Sequence, residues 1–327
     1  MGMCDLDEQR LERIAGQYAV TVAETDLTAT LRSAEPDVVV IATEESSHAA
    51  EVLQALDAGL DVFVEKPLAM SSGDAGAILQ LARAAKREVI VGHIARFSMA
   101  AIRLHSAATM QRIGPLHAMR FRRDFPRAWF GSFGARVHPV WESCIHDIDL
   151  AISFVHVPMA QVVALQSMSP PEVPPRVVTA VLLLENGVMA TIESAWVLPE
   201  SAPQTMGGAT ELSGTIAAEV ELLGGHGVAH HRSVGDGLVE WGADTVHVPD
   251  LDLWPEVGGV IGGALRREVE YAIRVFRREV PADMMPLEEA CWGVEAAEAI
   301  ERAIIASPAK DLRFGRGSGV NRYHGGR

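Results

Sequence analysis

Asp61-Val62-Phe63-Val64-Glu65-Lys66-Pro67-Leu68 is an apolar run that ends abruptly in an acid, a lysine and a proline. Residues that favour extended backbone, stopped by the φ-locked ring of Pro67, predict a short buried strand. Two similar runs flank it, Asp37 to Ala42 before and Glu88 to Gly92 after. Between them, Ser47 to Ala58 carries apolar residues at helical spacing and stops at Gly59. Ser71 and Ser72 are cap candidates for a second helix that reaches Lys86. Strand, helix, strand, helix, strand with short links predicts an α/β fold with a parallel, doubly wound sheet, its strands buried on both faces.

The pattern changes after Arg96. Met99 to Arg112 reads as a helix stopped by Gly114-Pro115. Strand-like runs follow at 116–125, 161–168, 177–184 and 188–196, with Asn186-Gly187 as a hairpin turn. Strands without intervening helices predict an α+β half built on a large, mainly antiparallel sheet. Leu265 to Arg277 and Leu287 to Ala306 read as closing helices. The expected organisation is a first domain over 1–95, a second over 96–313, and a mobile Gly- and Arg-rich tail over 314–327.

Composition narrows the function classes. The chain has 327 residues, 48% apolar and 22% charged, which is globular and suits two domains. A net charge of −15 repels phosphate backbones and argues against a nucleic-acid binder. No apolar run is long enough for a membrane span, and no signal peptide is expected. Cys4, Cys144 and Cys291 are scattered without a CxxC, so a reducing, cytoplasmic setting is expected rather than a disulfide framework.

Ligands of open parallel sheets bind beyond the carboxyl ends of the strands. Here those ends read Thr43-Glu44-Glu45-Ser46-Ser47-His48, Glu65-Lys66-Pro67 and His93-Ile94-Ala95-Arg96. A single crevice would collect Glu45, His48, Lys66 and Arg96; the competing reading is that exposed strand ends are simply polar. Lys66 stands out in a chain whose only other lysines are Lys86 and Lys310. A fixed ammonium there stabilises a developing alkoxide or polarises a carbonyl. The alternative is a solvated lysine on a loop. The second constellation is Trp141-Glu142-Ser143-Cys144-Ile145-His146-Asp147-Ile148-Asp149-Leu150. Glu142 and His146 are helical i,i+4 neighbours, and Asp149 follows three residues later. An acid, an imidazole and a second carboxylate on one face suit acid–base chemistry at neutral pH. A structural histidine between acids is the competing reading. His226, His230 and His231 read as a solvated Gly-rich loop, and no metal site is expected.

Taken together these residues resemble the Gfo/Idh/MocA family of nicotinamide-dependent oxidoreductases, from about Met3 to Phe314. Val39 to Thr43 followed by His48 looks like the family's ATP-N-x-x-H strand end, with Glu44 and Glu45 in place of Pro and Asn. Glu65-Lys66-Pro67-Leu68 matches the EKP motif. Gly92 to Phe97 looks like the segment that closes the cofactor domain. Glu142 to Asp149 resembles the D-x-x-x-H-x-x-D helix, with Glu142 in the place of Asp. The resemblance implies a Rossmann-like first domain and catalysis by Lys66 and His146, assisted by Glu142. It implies NAD, with NADP as the alternative, held around Asp5, Thr43, Glu45, His48, Glu65, Lys66, Pro67 and Arg96. It further implies a sugar, inositol or related polyol substrate contacted by Lys66, Arg127, Trp141, His146 and Asp149, and a homodimer or homotetramer.

One departure from the family is large. The expected G-x-G-x-x-G turn is absent, and Met1-Gly2-Met3-Cys4-Asp5 reads as the second strand, with Asp5 as the ribose-binding acid. In a 3-2-1-4 order the absent strand is central, so an incomplete sheet with two bare interior edges is expected. The first expectation is a chain shortened at its start. A remnant that binds cofactor poorly, or a partner chain that supplies the strand, are the alternatives. Two rival functions remain at this stage: a non-catalytic sensor or scaffold, and an NAD-dependent glycosidase.

Overall fold

The computed structural model describes residues 1–133, 136–170, 173–202, 214–234, 238–241 and 246–306. The tail expected over 314–327 lies outside these residues. The first part alternates strand and helix: β1 (Gly2–Cys4), α1 (Glu8–Gln17), β2 (Val22–Glu24), α2 (Leu27–Ala34), β3 (Val38–Ile41), α3 (His48–Asp57), β4 (Asp61–Glu65), α4 (Ser72–Ala85) and β5 (Val89–Gly92). Asp7, Asp26 and Ser71 start α1, α2 and α4 by accepting N–H bonds from Arg10, Ala29 and Asp74.

The second part comprises α5 (Met99–Thr109), β6 (Leu116–Pro126), α6 (Ile145–Val155), β7 (Met159–Gln166), β8 (Val177–Leu184), β9 (Met189–Leu198), β10 (Ala217–Gly224), β11 (Gly227–Arg232), α7 (Gly263–Phe276) and α8 (Leu287–Ala306). These six strands form one sheet in the order β11-β10-β6-β9-β8-β7, and four two-residue strands after it form two small separate pairs. Asn186 accepts the Val188 N–H, and Gly187 takes φ +83°, so the chain reverses tightly from β8 into β9. That return lays β9 parallel to β6, so the sheet is mixed rather than purely antiparallel. Met119, Phe121, Leu182, Ile192 and Leu222 are buried with residues of α6 and α8 in one core. Residues 217–232 correct the loop reading of the histidines. They form a hairpin that places His230 and His231 on β11. Its tight end requires Gly224, where a Cβ would come within 2.1 Å of the Ile113 carbonyl oxygen.

In the first part, β3, β4 and β5 are parallel and adjacent, while β1 and β2 form a separate parallel pair. Among the described residues no strand joins the two. Val39, Ile41, Val62 and Val64 pack with Val52 and Leu56 of α3 and Ile78 of α4. The opposite face is covered from the second part of the chain. Phe63 of β4 and Ile90 of β5 pack against Ala264, Ala272 and Val275 of α7. That cover does not extend to β3, where Val40 is 71% exposed. The expectation of a strand buried on both faces therefore fails for β3.

The three cysteines are unbonded, and no described helix is long and apolar enough to cross a membrane. Urea unfolding tests the uneven cover of the parallel sheet. Ile90→Ala is expected to cost about 2–5 kcal/mol, whereas Val40→Ala should stay within about 0.5 kcal/mol. Equal losses would show that both faces of β3 are covered.

Candidate active site

The carboxyl ends of β3, β4 and β5 meet the start of α6. Lys66 follows β4 and is joined to Pro67 by a cis peptide bond. Its Nζ donates to Glu142 Oε2 at 2.9 Å and to the Glu142 carbonyl at 3.1 Å. Both side chains are largely buried. Glu142 lies in a π-helical turn, Val140–Cys144, that leads into α6. Ser143 Oγ anchors this turn by donating to the Pro139 carbonyl, and Ser194 of β9 donates to Ser143. The wider π turn presents both the carboxylate and the carbonyl of Glu142 to one ammonium.

His146 stands one turn further on and remains partly exposed. Its pKa lies well below 6.5, because its surroundings are poorly solvated and Lys66 and Arg123 add positive charge. The imidazole is therefore neutral at physiological pH. Arg123 of β6 clamps the same helix through a two-pronged bond to buried Asp147. His93 is buried, and desolvation lowers its pKa to about 4 against the pull of Asp149.

The carboxylates around Lys66 differ in state. Burial raises the Glu65 carboxyl despite the neighbouring Lys66. Burial also opposes ionisation of Glu45. Its own backbone N–H and Arg136, whose Nη2 lies 2.6 Å away, nevertheless leave its pKa lowered. Lys66 contributes to the lowering of both, so the structure brings Lys66, Glu45, Glu65 and Glu142 into one neighbourhood.

Several expected contacts are corrected. Arg96 does not face a cofactor. Its guanidinium is buried and binds both oxygens of Asp149, at 2.8 and 2.6 Å, and Glu289 of α8 at 2.7 Å. Asp149 is consumed by the same bond and is closed to a substrate. Trp141 is a core residue whose indole N–H donates to Glu301. His48 is buried too, its Nδ1 2.8 Å from the Pro67 carbonyl oxygen and its Nε2 3.2 Å from the Thr43 carbonyl oxygen. Its role is to tie the end of β3 to the end of β4. The Thr43 hydroxyl donates to Glu51 and accepts from Ser47. Arg127 is exposed, 3.8 Å from Glu200. Asp5 follows β1, where it accepts the Asp7 N–H and pairs with Arg10 at 3.3 Å. Sequence reasoning missed Asp147, Arg136 and Glu289 as partners. Asp147 sat inside the quoted motif, whereas Arg136 gave no signal.

The chain was compared with known proteins. Residues 1–93 match the description "Oxidoreductase family, NAD-binding Rossmann fold", and residues 103–219 match the GFO/IDH/MocA C-terminal domain. The chain belongs to the Gfo/Idh/MocA oxidoreductase family. A relative from Shouchella clausii, named inositol 2-dehydrogenase/D-chiro-inositol 3-dehydrogenase, is 31% identical over 150 residues, 45% of this chain and 42% of its own. A 4-carboxy-2-hydroxymuconate-6-semialdehyde dehydrogenase from Sphingobium is 28% identical over 153 residues, 44% of this chain and 46% of its own. The chain thus spans about half the length of the curated relatives it matches. In three dimensions it resembles scyllo-inositol dehydrogenase from Lactobacillus casei with NAD(H) and scyllo-inositol. That match has a TM-score of 0.74 and 17% identity over 93% of this chain and 88% of that one, a likeness of fold.

This Gfo/Idh/MocA chain fits the family's cofactor unevenly. Asp5, at the end of β1, keeps an oxygen-rich, partly exposed edge suited to ribose hydroxyls. Lys66 lies at the carboxyl end of β4, and His146 lies on α6 one turn beyond its partner Glu142. The diphosphate is less well provided for. Asp5-Leu6-Asp7 precedes α1 and Glu44-Glu45-Ser46-Ser47 precedes α3, so both entrances are acidic rather than glycine-rich.

Arg96→Ala would leave Asp149 and Glu289 buried without their shared cation. A loss of about 3–5 kcal/mol in denaturant unfolding is expected. A loss below 1 kcal/mol would mean that water reaches these carboxylates.

Proposed function

We propose that this protein is an NAD-dependent oxidoreductase that transfers hydride between nicotinamide and a secondary hydroxyl or ketone of an inositol, sugar or related polyol. The observation that carries the reading is the Lys66–Glu142 ion pair set one helical turn from a neutral His146. Lys66 stabilises the alkoxide, and Glu142 fixes the ammonium in place. His146, uncharged at neutral pH, accepts the hydroxyl proton. NAD, when bound, takes the hydride. Asp5 favours NAD over NADP, because a carboxylate repels a 2′-phosphate.

The acidic residues before α1 and α3 favour a second reading, in which the protein keeps the catalytic residues but holds the cofactor weakly. A fluorescence titration with NADH and NADPH separates the two. Saturable NADH binding supports the oxidoreductase; no binding by a cooperatively folded chain supports the second reading.

Outward residues Val163, Leu165, Leu183 and Met189 leave an apolar strip across β7, β8 and β9. We assign this strip to a homo-oligomer contact. We also propose a cytoplasmic setting, on the three unbonded cysteines.

With inositols as substrates, Lys66→Ala and His146→Ala are each expected to lower kcat by about 10²–10⁴-fold while the fold is kept. Near-normal rates in both would end the assignment. The depressed pKa of His146 also places the acid limb of the oxidation profile well below pH 6.5. A limb at or above that value would show a different base. Leu165→Glu should reduce the mass measured by light scattering to that of a single chain.

A further inference from the structure

Two ion pairs of opposite sense cross from the strand ends of the first part to the segment that leads into α6. Lys66, after β4, gives its ammonium to Glu142. Glu45, after β3, accepts instead, from Arg136 Nη2 at 2.6 Å. The two contributions from the second part lie six residues apart in the chain. Glu45 is buried, and a buried carboxylate needs a donor. The Arg136 side chain keeps 40% of its surface exposed, so the pair sits at the rim of the neighbourhood that holds Lys66.

The contacts close into a ring. The turn that carries Glu45 is tightened by Ser47, whose backbone N–H and hydroxyl both donate to the Glu44 carbonyl at 2.9 Å. At the end of that turn His48 approaches the Thr43 and Pro67 carbonyls, which sets the Glu45 turn beside the residue that follows Lys66. Lys66 then reaches Glu142. The backbone N–H groups of Trp141 and Glu142 donate to the His138 carbonyl at 2.9 and 3.4 Å, so the chain folds back toward Arg136. Arg136 in turn completes the ring on Glu45. The hydroxyl bonds of Ser143 and Ser194 hold the π turn on its other side, toward β9.

We propose that Arg136 is a positioning residue, which pins the approach to the π turn onto Glu45 and thereby keeps Glu142 on the Lys66 ammonium. Without Arg136 the approach loses its second hold on these strand ends, and Glu45 is left buried without its cation. Arg136 touches neither Lys66 nor Glu142 and acts only through the ring. Its consequence for turnover rests on the oxidoreductase reading; its hold on Lys66 does not.

Lysine labelling tests this without substrate or cofactor, because the chain has only three lysines. Trace acetic anhydride is applied to the folded protein, and the rate at Lys66 is read by mass spectrometry against exposed Lys86 as the internal standard. Glu142→Gln should speed labelling of Lys66. No change there would mean that the Lys66–Glu142 bond is not held in solution, and the proposal would fall together with the reading of the site. Arg136→Ala should speed labelling by about 3–10-fold, as expected for the loss of a partly buried ion pair, and Arg136→Lys should restore most of the protection. Faster labelling in Glu142→Gln but not in Arg136→Ala would overturn the role of Arg136 alone. The double variant Arg136→Ala with Glu45→Gln removes the unpaired buried charge and carries the test if Arg136→Ala does not fold. It should label as fast as Arg136→Ala. A return to the slow rate would show that the stranded Glu45 charge, and not the lost pin, had drawn Lys66 away, and would also overturn the proposal.

Discussion

A single guanidinium holds the arrangement together. Arg96 leaves the turn after β5 and binds Asp149 of α6, Glu289 of α8 and the Met284 carbonyl. Burying three charges is costly, and the two-pronged geometry on Asp149 offsets that cost only because the donors and acceptors match. The placement of the reactive groups follows from it. Asp149 lies three residues beyond His146, and Arg96 three residues beyond His93. Fixing Asp149 on Arg96 therefore sets how α6 meets the ends of β4 and β5, and so how Glu142 reaches Lys66.

The two parts of the chain do not have separate interiors. Helix α7, from beyond the six-stranded sheet, supplies the apolar cover for β4 and β5. Arg278, just past α7, sets its Nη2 3.0 Å from both carboxylate oxygens of buried Asp61 at the start of β4. The ends of β4 and β5 are thereby gripped from both directions, by Arg96 on the carboxyl side and by α7 across one face. β3 lies outside this grip, which accounts for its bare Val40.

Much of the fold was legible from short-range signals. Ser71 caps α4 and Asn186-Gly187 turns the chain between β8 and β9, because each works through its own backbone. The position of Lys66 at the carboxyl end of β4 was legible for a similar reason: a strand end and a proline fix its place. What failed was everything set by distant partners. Asp149 and Trp141 looked available because they share the Trp141–Leu150 stretch with Glu142 and His146, yet Arg96 and Glu301 claim them from far along the chain. The parallel β6–β9 pairing was equally hidden, since strand direction depends on where the chain returns. The β10–β11 hairpin was masked by its glycines and histidines, although Val220 and Leu222 alternate with Glu219 and Glu221 as a half-buried strand requires.

The position of β6 has a consequence for the order of assembly. Both of its neighbours, β9 and β10, come later in the chain, after α6, β7 and β8. As the polypeptide leaves the ribosome, β7 and β8 can pair as soon as they emerge. β6 has by then waited with both edges open and with Met119 and Phe121 uncovered. Such a delay is the interval in which nascent chains meet chaperones or one another. Both pairings of β6, with β9 and with β10, are non-local and must wait for that later chain.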